Sequence, residues 1–239
     1  VPEGRRVYAI GDIHGRADLL KRLQRKILQD VKEAPALENT VVYLGDYLDR
    51  GPFVFDTLDH VISGLDCGFE IIYLRGNHEQ LFLDFLDNPS MLPVWLGLGG
   101  LATLMSYGVY PGHFDIAPQR AAELRDALVA NMPDQHLHFL RSLHLYLHLG
   151  DYLFVHAGLR PGVPLVRQTL DDLLWIREEF IAERHGFDFK VVHGHTIDKQ
   201  PQQQHHRLGI DTGAYATGIL TCAVFEEDQV RFLDTDNSK

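Results

Sequence analysis

Seven residues, Gly45-Asp46-Tyr47-Leu48-Asp49-Arg50-Gly51, set two carboxylates and a guanidinium between glycines directly after the apolar run Val41-Val42-Tyr43-Leu44. A carboxylate such as Asp46 has two oxygens and can bridge two cations, and the planar fork of Arg50 suits phosphate oxygens. The heptad therefore points to chemistry on a metal-bound phosphate, although Asp, Arg and Gly also share turns for conformational reasons alone. Its company sharpens the reading. Gly11-Asp12-Ile13-His14-Gly15 precedes it and Gly76-Asn77-His78-Glu79 follows, each at the end of an apolar run. His156-Ala157-Gly158 and Val191-Val192-His193-Gly194-His195-Thr196 repeat the arrangement further on. Asp12, His14, Asp46, Asn77, His78, His156 and His195 offer oxygen and imidazole nitrogen but no thiolate. That donor set suits Mn, Fe or Zn better than Ca, which wants more oxygens, and argues against a structural zinc site. Singly, each histidine reads equally as a packed or capping residue; as a set, that reading requires a coincidence at every position.

These residues need elements that bring them together. The apolar run 7–10 reads as a strand, and Leu19, Leu20, Leu23, Ile27 and Val31 recur at helical spacing after it. A connection over 33–39 leads to a strand at 41–44, a helix at 55–65 stopped by Gly64 and Gly68, a strand at 69–74 and a helix from Gln80. This β-α-β-α-β-α order predicts parallel strands, and ligands of such sheets gather at the carboxyl ends, where the three motifs sit. Residues 87–134, rich in Pro and Gly with a helical stretch at 120–131, read as a mostly helical insertion. Alternation of Leu143, Leu145, Leu147 and Leu149 with His144, Tyr146 and His148 predicts a strand whose histidines face solvent, turned at Gly150-Asp151 into the strand 152–155. A helix over 170–183, packing Trp175, Ile176 and Phe180, a polar hairpin loop over 198–207 and strands at 208–210, 219–225 and 230–233 complete the chain. The whole, 1–239, reads as a single α/β domain.

Composition narrows the function. A net charge of -11 without a Lys/Arg cluster argues against nucleic acid as a partner. No apolar stretch is long enough to span a membrane and no signal-peptide core follows the N-terminus, so the expected location is the cytoplasm. Cys67 and Cys222 are the two cysteines and are expected as free thiols.

The ordered motifs Gly-Asp-Ile-His-Gly, Gly-Asp-Tyr-Leu-Asp-Arg-Gly, Arg-Gly-Asn-His-Glu, His-Ala-Gly-Leu and Gly-His-Thr resemble the signature of the calcineurin-like metallophosphoesterases, in the serine/threonine phosphoprotein phosphatase branch. Leu-Leu-Trp-Ile-Arg at 173–177 and Ile-Asp-Thr-Gly-Ala at 210–214 resemble its compact bacterial members. The resemblance implies a sandwich of two mixed β-sheets flanked by helices, with the C-terminal strands as the second sheet. It implies Asp12 and His14 as ligands of one metal ion, Asn77, His156 and His195 as ligands of the other, and Asp46 as the bridge. Arg50 and Arg177 would hold phosphate oxygens, and His78, oriented by Asp49, would donate a proton. His193 is expected to support the site without binding metal. Two divalent ions are implied, Mn²⁺ by preference, with Fe or Zn as alternatives. The chain departs from animal-type enzymes in lacking Ser-Ala-Pro-Asn-Tyr near its end and in having Ala157 where Gly is frequent, so their substrate-groove properties do not transfer.

The implied activity is hydrolysis of phosphomonoesters, on phosphoserine or phosphothreonine of a phosphoprotein and on small aryl phosphates, by in-line attack of a water or hydroxide bridging two metal ions. The alternative is a dinucleoside-polyphosphate hydrolase of the diadenosine tetraphosphate type, which shares nearly all the metal motifs. A basic, aromatic pocket within 87–134 would favour nucleotide, but that region supplies only scattered Arg120, Arg125, Trp95 and Tyr107, which do not make one. A non-catalytic binding module would have lost a ligand or the donor histidine, and every expected position is filled.

Overall fold

The computed structural model describes residues 1–33, 37–65, 68–112 and 118–236. Cys67, Pro35 of the expected connection and residues 113–117 of the expected insertion lie outside the described residues, while Cys222 is a buried free thiol. No helix of the described residues is long and apolar enough to cross a membrane.

The first three strands each lead into a helix: β1 (Arg5–Ile10) into Ala17–Glu33, β2 (Glu38–Tyr43) into Val54–Ser63, and β3 (Glu70–Tyr73) into Asn77–Asp87. The crossovers leave them parallel, β1 beside β2 and β2 beside β3. Side chains alternate between two faces as the pleat demands. Tyr8, Ile10, Val41 and Tyr43 pack with Leu19, Leu20, Leu23 and Leu58 of the helices. Val7, Ala9 and Val42 face a second sheet.

That sheet contains β4 (Tyr146–Leu149), β5 (Tyr152–Val155), β6 (Lys190–His193), β7 (Gln202–Gln203) and β8 (Arg207–Gly209), in the order β4-β5-β6-β8-β7. Tyr152, Phe154, Val192 and Leu208 close the inter-sheet core against Val7, Ala9 and Val42. Leu153, Val155 and Val191 point outward onto Leu173, Leu174 and Phe180. The result is the expected α/β sandwich of two mixed sheets with helices on its outer faces.

Several expectations about single elements are corrected. The strands β9 (Thr221–Glu226) and β10 (Gln229–Asp234) extend the first sheet, in the order β10-β9-β1-β2-β3, and do not form the second. Cys222 and Val224 join the helix-side core while Ala223 and Phe225 join the inter-sheet core. A strand apolar on both faces is satisfied only where both are covered, which here is beside β1. The alternating run pairs with β5 only from Tyr146, because Leu143 caps the helix Asp134–Ser142 and His144 makes an isolated bridge to Leu74. His144 and His148 do face solvent.

The helix expected over 170–183 is broken into Leu170–Trp175 and Glu178–Ile181, with Ile176 and Arg177 out of helical conformation between them. Ile176 and Phe180 are buried as expected, but Trp175 is not. Residues 87–134 are mostly helical where described, over Leu92–Gly97, Leu101–Ser106 and Pro118–Asn131, and Leu92, Trp95, Leu104 and Leu128 merge with the core beneath the first sheet. The polar loop 198–207 is a hairpin, with β7 antiparallel to β8.

Candidate functional site

Because β1, β2 and β3 are parallel, their three motif loops leave one edge of the sheet together. Backbone hydrogen bonds tie them: the amides of Ile13 and His14 donate to the carbonyl of Asp46 at 3.1 and 2.7 Å. From the second sheet, β5 and β6 deliver His156 and His195, and the Gly194 amide donates to the His156 carbonyl at 2.8 Å. Six non-glycine residues among those described have positive φ, and five of them, His14, Asp46, Asp49, Arg50 and His195, lie here. Each such residue costs about 1 kcal/mol or more and persists only where its surroundings over-determine it. Two glycines allow the close approach. A Cβ at Gly76 would stand 2.0 Å from Asp46 Oδ1, and one at Gly194 would stand 2.1 Å from Asp12 Oδ1.

The residue that fixes the Asp46 loop is Glu79, quoted within its motif but given no role by the sequence. Its fully buried carboxylate accepts hydrogen bonds from the backbone amides of Asp46, Tyr47, Leu48 and Gly76 at 2.8 to 3.1 Å. Burial and the neighbouring Asp46 charge push its carboxyl up to about 7, against the amides that favour the anion. The position three residues after Gly76, at the start of a helix, is the one sequence signal that it had.

Asp46 lies at the centre of the buried cluster. His14 Nε2 is 3.3 Å from its Oδ2 and His156 Nε2 is 3.5 Å from its Oδ1. The donor atoms of Asp46, His156 and His195 lie within 4.8 Å of one another, as do those of His14, Asp46 and His78. His14 and His156 each direct Nδ1 at a backbone carbonyl, of Leu48 at 2.8 Å and of Leu44 at 2.9 Å. That contact fixes the Nδ1–H tautomer and leaves the Nε2 lone pair facing inward. Burial lowers the pKa of His14 to about 3 and also lowers those of His156 and His195, so the imidazoles are neutral and able to ligate.

Asn77 Oδ1 lies 2.8 Å from His156 Nε2 and 2.9 Å from His195 Nδ1. As oriented, the amide oxygen meets the lone pair of His156, a contact that a shared cation satisfies and a hydrogen bond does not. Asp12 carries the same signal. Its Oδ2 accepts from the His195 amide at 3.0 Å, while its Oδ1 is buried without a partner. Burial, Asp211 and Asp46 together raise its pKa well above the carboxylate range. A carboxylate so placed requires positive charge nearby. The residues present therefore fit a pair of divalent cations.

His78 belongs to a different arrangement. Its Nδ1 is 2.7 Å from Asp49 Oδ2 and its Nε2 is 3.0 Å from Arg50 Nη2. Burial lowers its pKa, but Asp46 and the hydrogen bond to Asp49 outweigh it and the net shift is upward. Asp49 is held in turn by residues to which the sequence gave no such role: Trp95 Nε1 donates to it at 3.0 Å and Thr103 Oγ1 at 2.5 Å. Both come from the helical segment some fifty positions away in sequence, at separations of 46 and 54, so no local signal marked them. Trp95 and Tyr107, considered as parts of a nucleotide pocket, are buried instead, Trp95 beneath Asp49 and Tyr107 against His136.

The two arginines contact different histidines of the cluster, Arg50 meeting His78 and Arg177 meeting His195. Arg50 rests on the ring of Tyr215, its guanidinium carbon 4.8 Å from the centroid. Arg177, in the break between the two short helices, brings Nε to 2.9 Å from His195 Nε2. His193 turns away from the cluster, with Nδ1 3.0 Å from the Gly194 carbonyl and its ring edge-on to Phe180.

Comparison with known proteins agrees with this geometry. A family model described as calcineurin-like phosphoesterase matches residues 5–213. The chain is 27% identical, over 92% of its length and 89% of the relative's, to the asymmetrical bis(5′-nucleosyl)-tetraphosphatase PrpE of Bacillus velezensis. It is 26% identical to serine/threonine-protein phosphatase 1 of Salmonella typhimurium, over 92% and 91% of the two chains. Among solved structures, that of a proposed diadenosine tetraphosphatase superposes with a TM-score of 0.64 at 21% identity, covering 98% of this chain and 95% of the other, which supports the fold.

Proposed function

This chain belongs to the calcineurin-like phosphoesterase family, and from that premise we propose that it is a dinuclear-metal hydrolase whose first substrates are dinucleoside polyphosphates. The observation that carries the metal chemistry is the convergence of neutral imidazoles and an orphaned buried carboxylate oxygen around Asp46. In this reading Asp12 and His14 would hold one cation, Asn77, His156 and His195 would hold the other, and Asp46 would serve both, with Mn²⁺ as the preferred ion. When bound, the cations would supply an activated water and neutralise phosphate charge.

The remaining work falls to the chain's own groups. Arg50 and Arg177 orient phosphate oxygens for in-line displacement. Tyr215, over whose ring the Arg50 guanidinium lies, helps hold it in place. His78 Nε2 carries the proton for the departing oxygen, and Asp49, clamped by Trp95 and Thr103, fixes its tautomer. His14 and His156 keep their inward lone pairs because the carbonyls of Leu48 and Leu44 accept hydrogen bonds from their Nδ1–H groups.

The nucleotide reading is supported by similarity to bis(5′-nucleosyl)-tetraphosphatases along nearly the full chain. A second reading, a serine/threonine protein phosphatase, is favoured by the Salmonella relative and by the His78–Asp49 pair. A seryl alkoxide leaves poorly without a proton, whereas a nucleotide phosphate leaves readily, so a built proton donor has most value on a phosphomonoester. Metal-defined protein should be assayed side by side on diadenosine tetraphosphate and on phosphoserine and phosphothreonine peptides. A kcat/KM at least tenfold higher on the tetraphosphate is expected, and the reverse preference would establish the second reading.

A further inference from the structure

Beside Arg177 the surface opens into a cavity of about 590 Å³, bounded by Trp175, Arg177, Arg160, Asp171, Glu178 and Glu179. It adjoins the metal cluster: Arg177 Nε contacts His195, and the Trp175 ring stands edge-on to the His195 ring with centroids 6.1 Å apart. Trp175 is 36% exposed where the helix ends, and Arg177, also exposed, reaches His195 with its Nε. The wall is not an anion site. The Arg160 guanidinium is neutralised in place by Asp172 at 2.6 Å and Glu179 at 2.5 Å, and Asp171 and Glu178 add two further carboxylates.

These features sort a ligand by its parts. A phosphate is drawn to Arg177 and the cations and repelled from the carboxylates. A flat aromatic group finds the Trp175 face, where base–aromatic stacking is favourable for any base. Hydroxyls find acceptors in the carboxylates, as ribose hydroxyls do elsewhere. The volume lies within the ~300–1,000 Å³ of small-molecule pockets. We propose that this cavity is a nucleoside subsite, in which the base stacks on Trp175, the ribose hydroxyls donate to Asp171 or Glu178, and the 5′-phosphate rests at Arg177. The inference deepens the dinucleoside-polyphosphate reading and rests on it for the identity of the substrate. The Tyr215 ring already carries Arg50 on one face.

The test compares two inhibitors that differ only by adenosine: α,β-methylene-ADP, whose P–C–P bridge resists hydrolysis, and methylenediphosphonate. Both are titrated against p-nitrophenyl phosphate turnover by the Mn²⁺-loaded protein. The adenosine compound should inhibit roughly tenfold more tightly. Trp175→Ala should erase that advantage and Trp175→Phe should restore most of it, while inhibition by methylenediphosphonate stays the same in all three proteins. Equal inhibition by the two compounds in the unaltered protein, or an advantage that survives Trp175→Ala, overturns the subsite. The two readings also fail separately. A Trp175-dependent advantage in a protein that does not cleave diadenosine tetraphosphate keeps the subsite and removes the substrate assignment, and cleavage with no such advantage does the opposite.

Discussion

The floor of the site and its rim are built differently. The floor, formed by the loops after β1, β2 and β3, is buried and over-determined: four non-glycine backbone positions, His14, Asp46, Asp49 and Arg50, sit at positive φ, and Glu79 alone gathers four amides. The rim at Trp175–Arg177 is a break between two short helices, anchored by buried Ile176 while Trp175 and Arg177 on either side of it are exposed. Rigid placement of charge is what hydrolysis of any phosphate needs, so the floor can be common to enzymes with different substrates. The rim meets what is attached to the phosphate, and it can change without disturbing the floor. The two names found among the relatives, nucleosyl-tetraphosphatase and protein phosphatase, agree with such a division.

The sharpest way to break this contrast is to empty the floor. Protein stripped with EDTA should lose all measurable activity on every substrate, and Mn²⁺ should restore it best. Asp46→Asn should show reduced metal stoichiometry by elemental analysis and remain impaired in excess Mn²⁺. Full activity of the stripped protein would remove the floor from the chemistry altogether.

Next in size is His78→Asn, which should keep both metals yet lose roughly 10²–10⁴ in kcat on a phosphoserine peptide. The loss should be distinctly smaller on p-nitrophenyl phosphate, whose leaving group needs no proton. With chemistry rate-limiting, equal losses on both substrates would assign His78 to positioning.

Glu79→Gln turns amide hydrogens toward amides and leaves buried donors unsatisfied, so it should destabilise the fold by roughly 2–3 kcal/mol in urea denaturation. It should also weaken Mn²⁺ binding, because Asp46 loses the support of its strained loop. Stability within about 0.5 kcal/mol of the parent protein, the range of an ordinary surface substitution, would show that Glu79 is not what fixes the loop.

At the rim, Arg177→Ala should lower kcat/KM by roughly tenfold and weaken inhibition by phosphate and vanadate, since one charged hydrogen bond to phosphate is lost. Metal content and stability should be unchanged. Unaltered phosphate inhibition would mean that the break in the helix serves some purpose other than binding phosphate.

Much of the floor was legible in the residues themselves. Asp12, His14, Asp46, Asn77 and His78 each follow an apolar strand, and parallel crossover connections carry strand ends to one edge, so local patterns were enough to predict their convergence, while that of His156 and His195 was expected only from the family resemblance. What the sequence could not carry depends on pairing between distant segments. Nothing in 221–234 says which sheet edge it will join; that was decided by the need to cover Phe225 on one face and Val224 on the other. Glu79 reads as a helix-start residue until the Asp46 loop folds over it, and nothing local ties Trp95 or Thr103 to Asp49 until the helical segment packs beneath that loop. Helical periodicity over 170–183 hid the break that exposes Trp175 and sends Arg177 toward His195, because packing across the sandwich, acting over a few ångströms, overrode a local preference worth only tenths of a kcal/mol per residue.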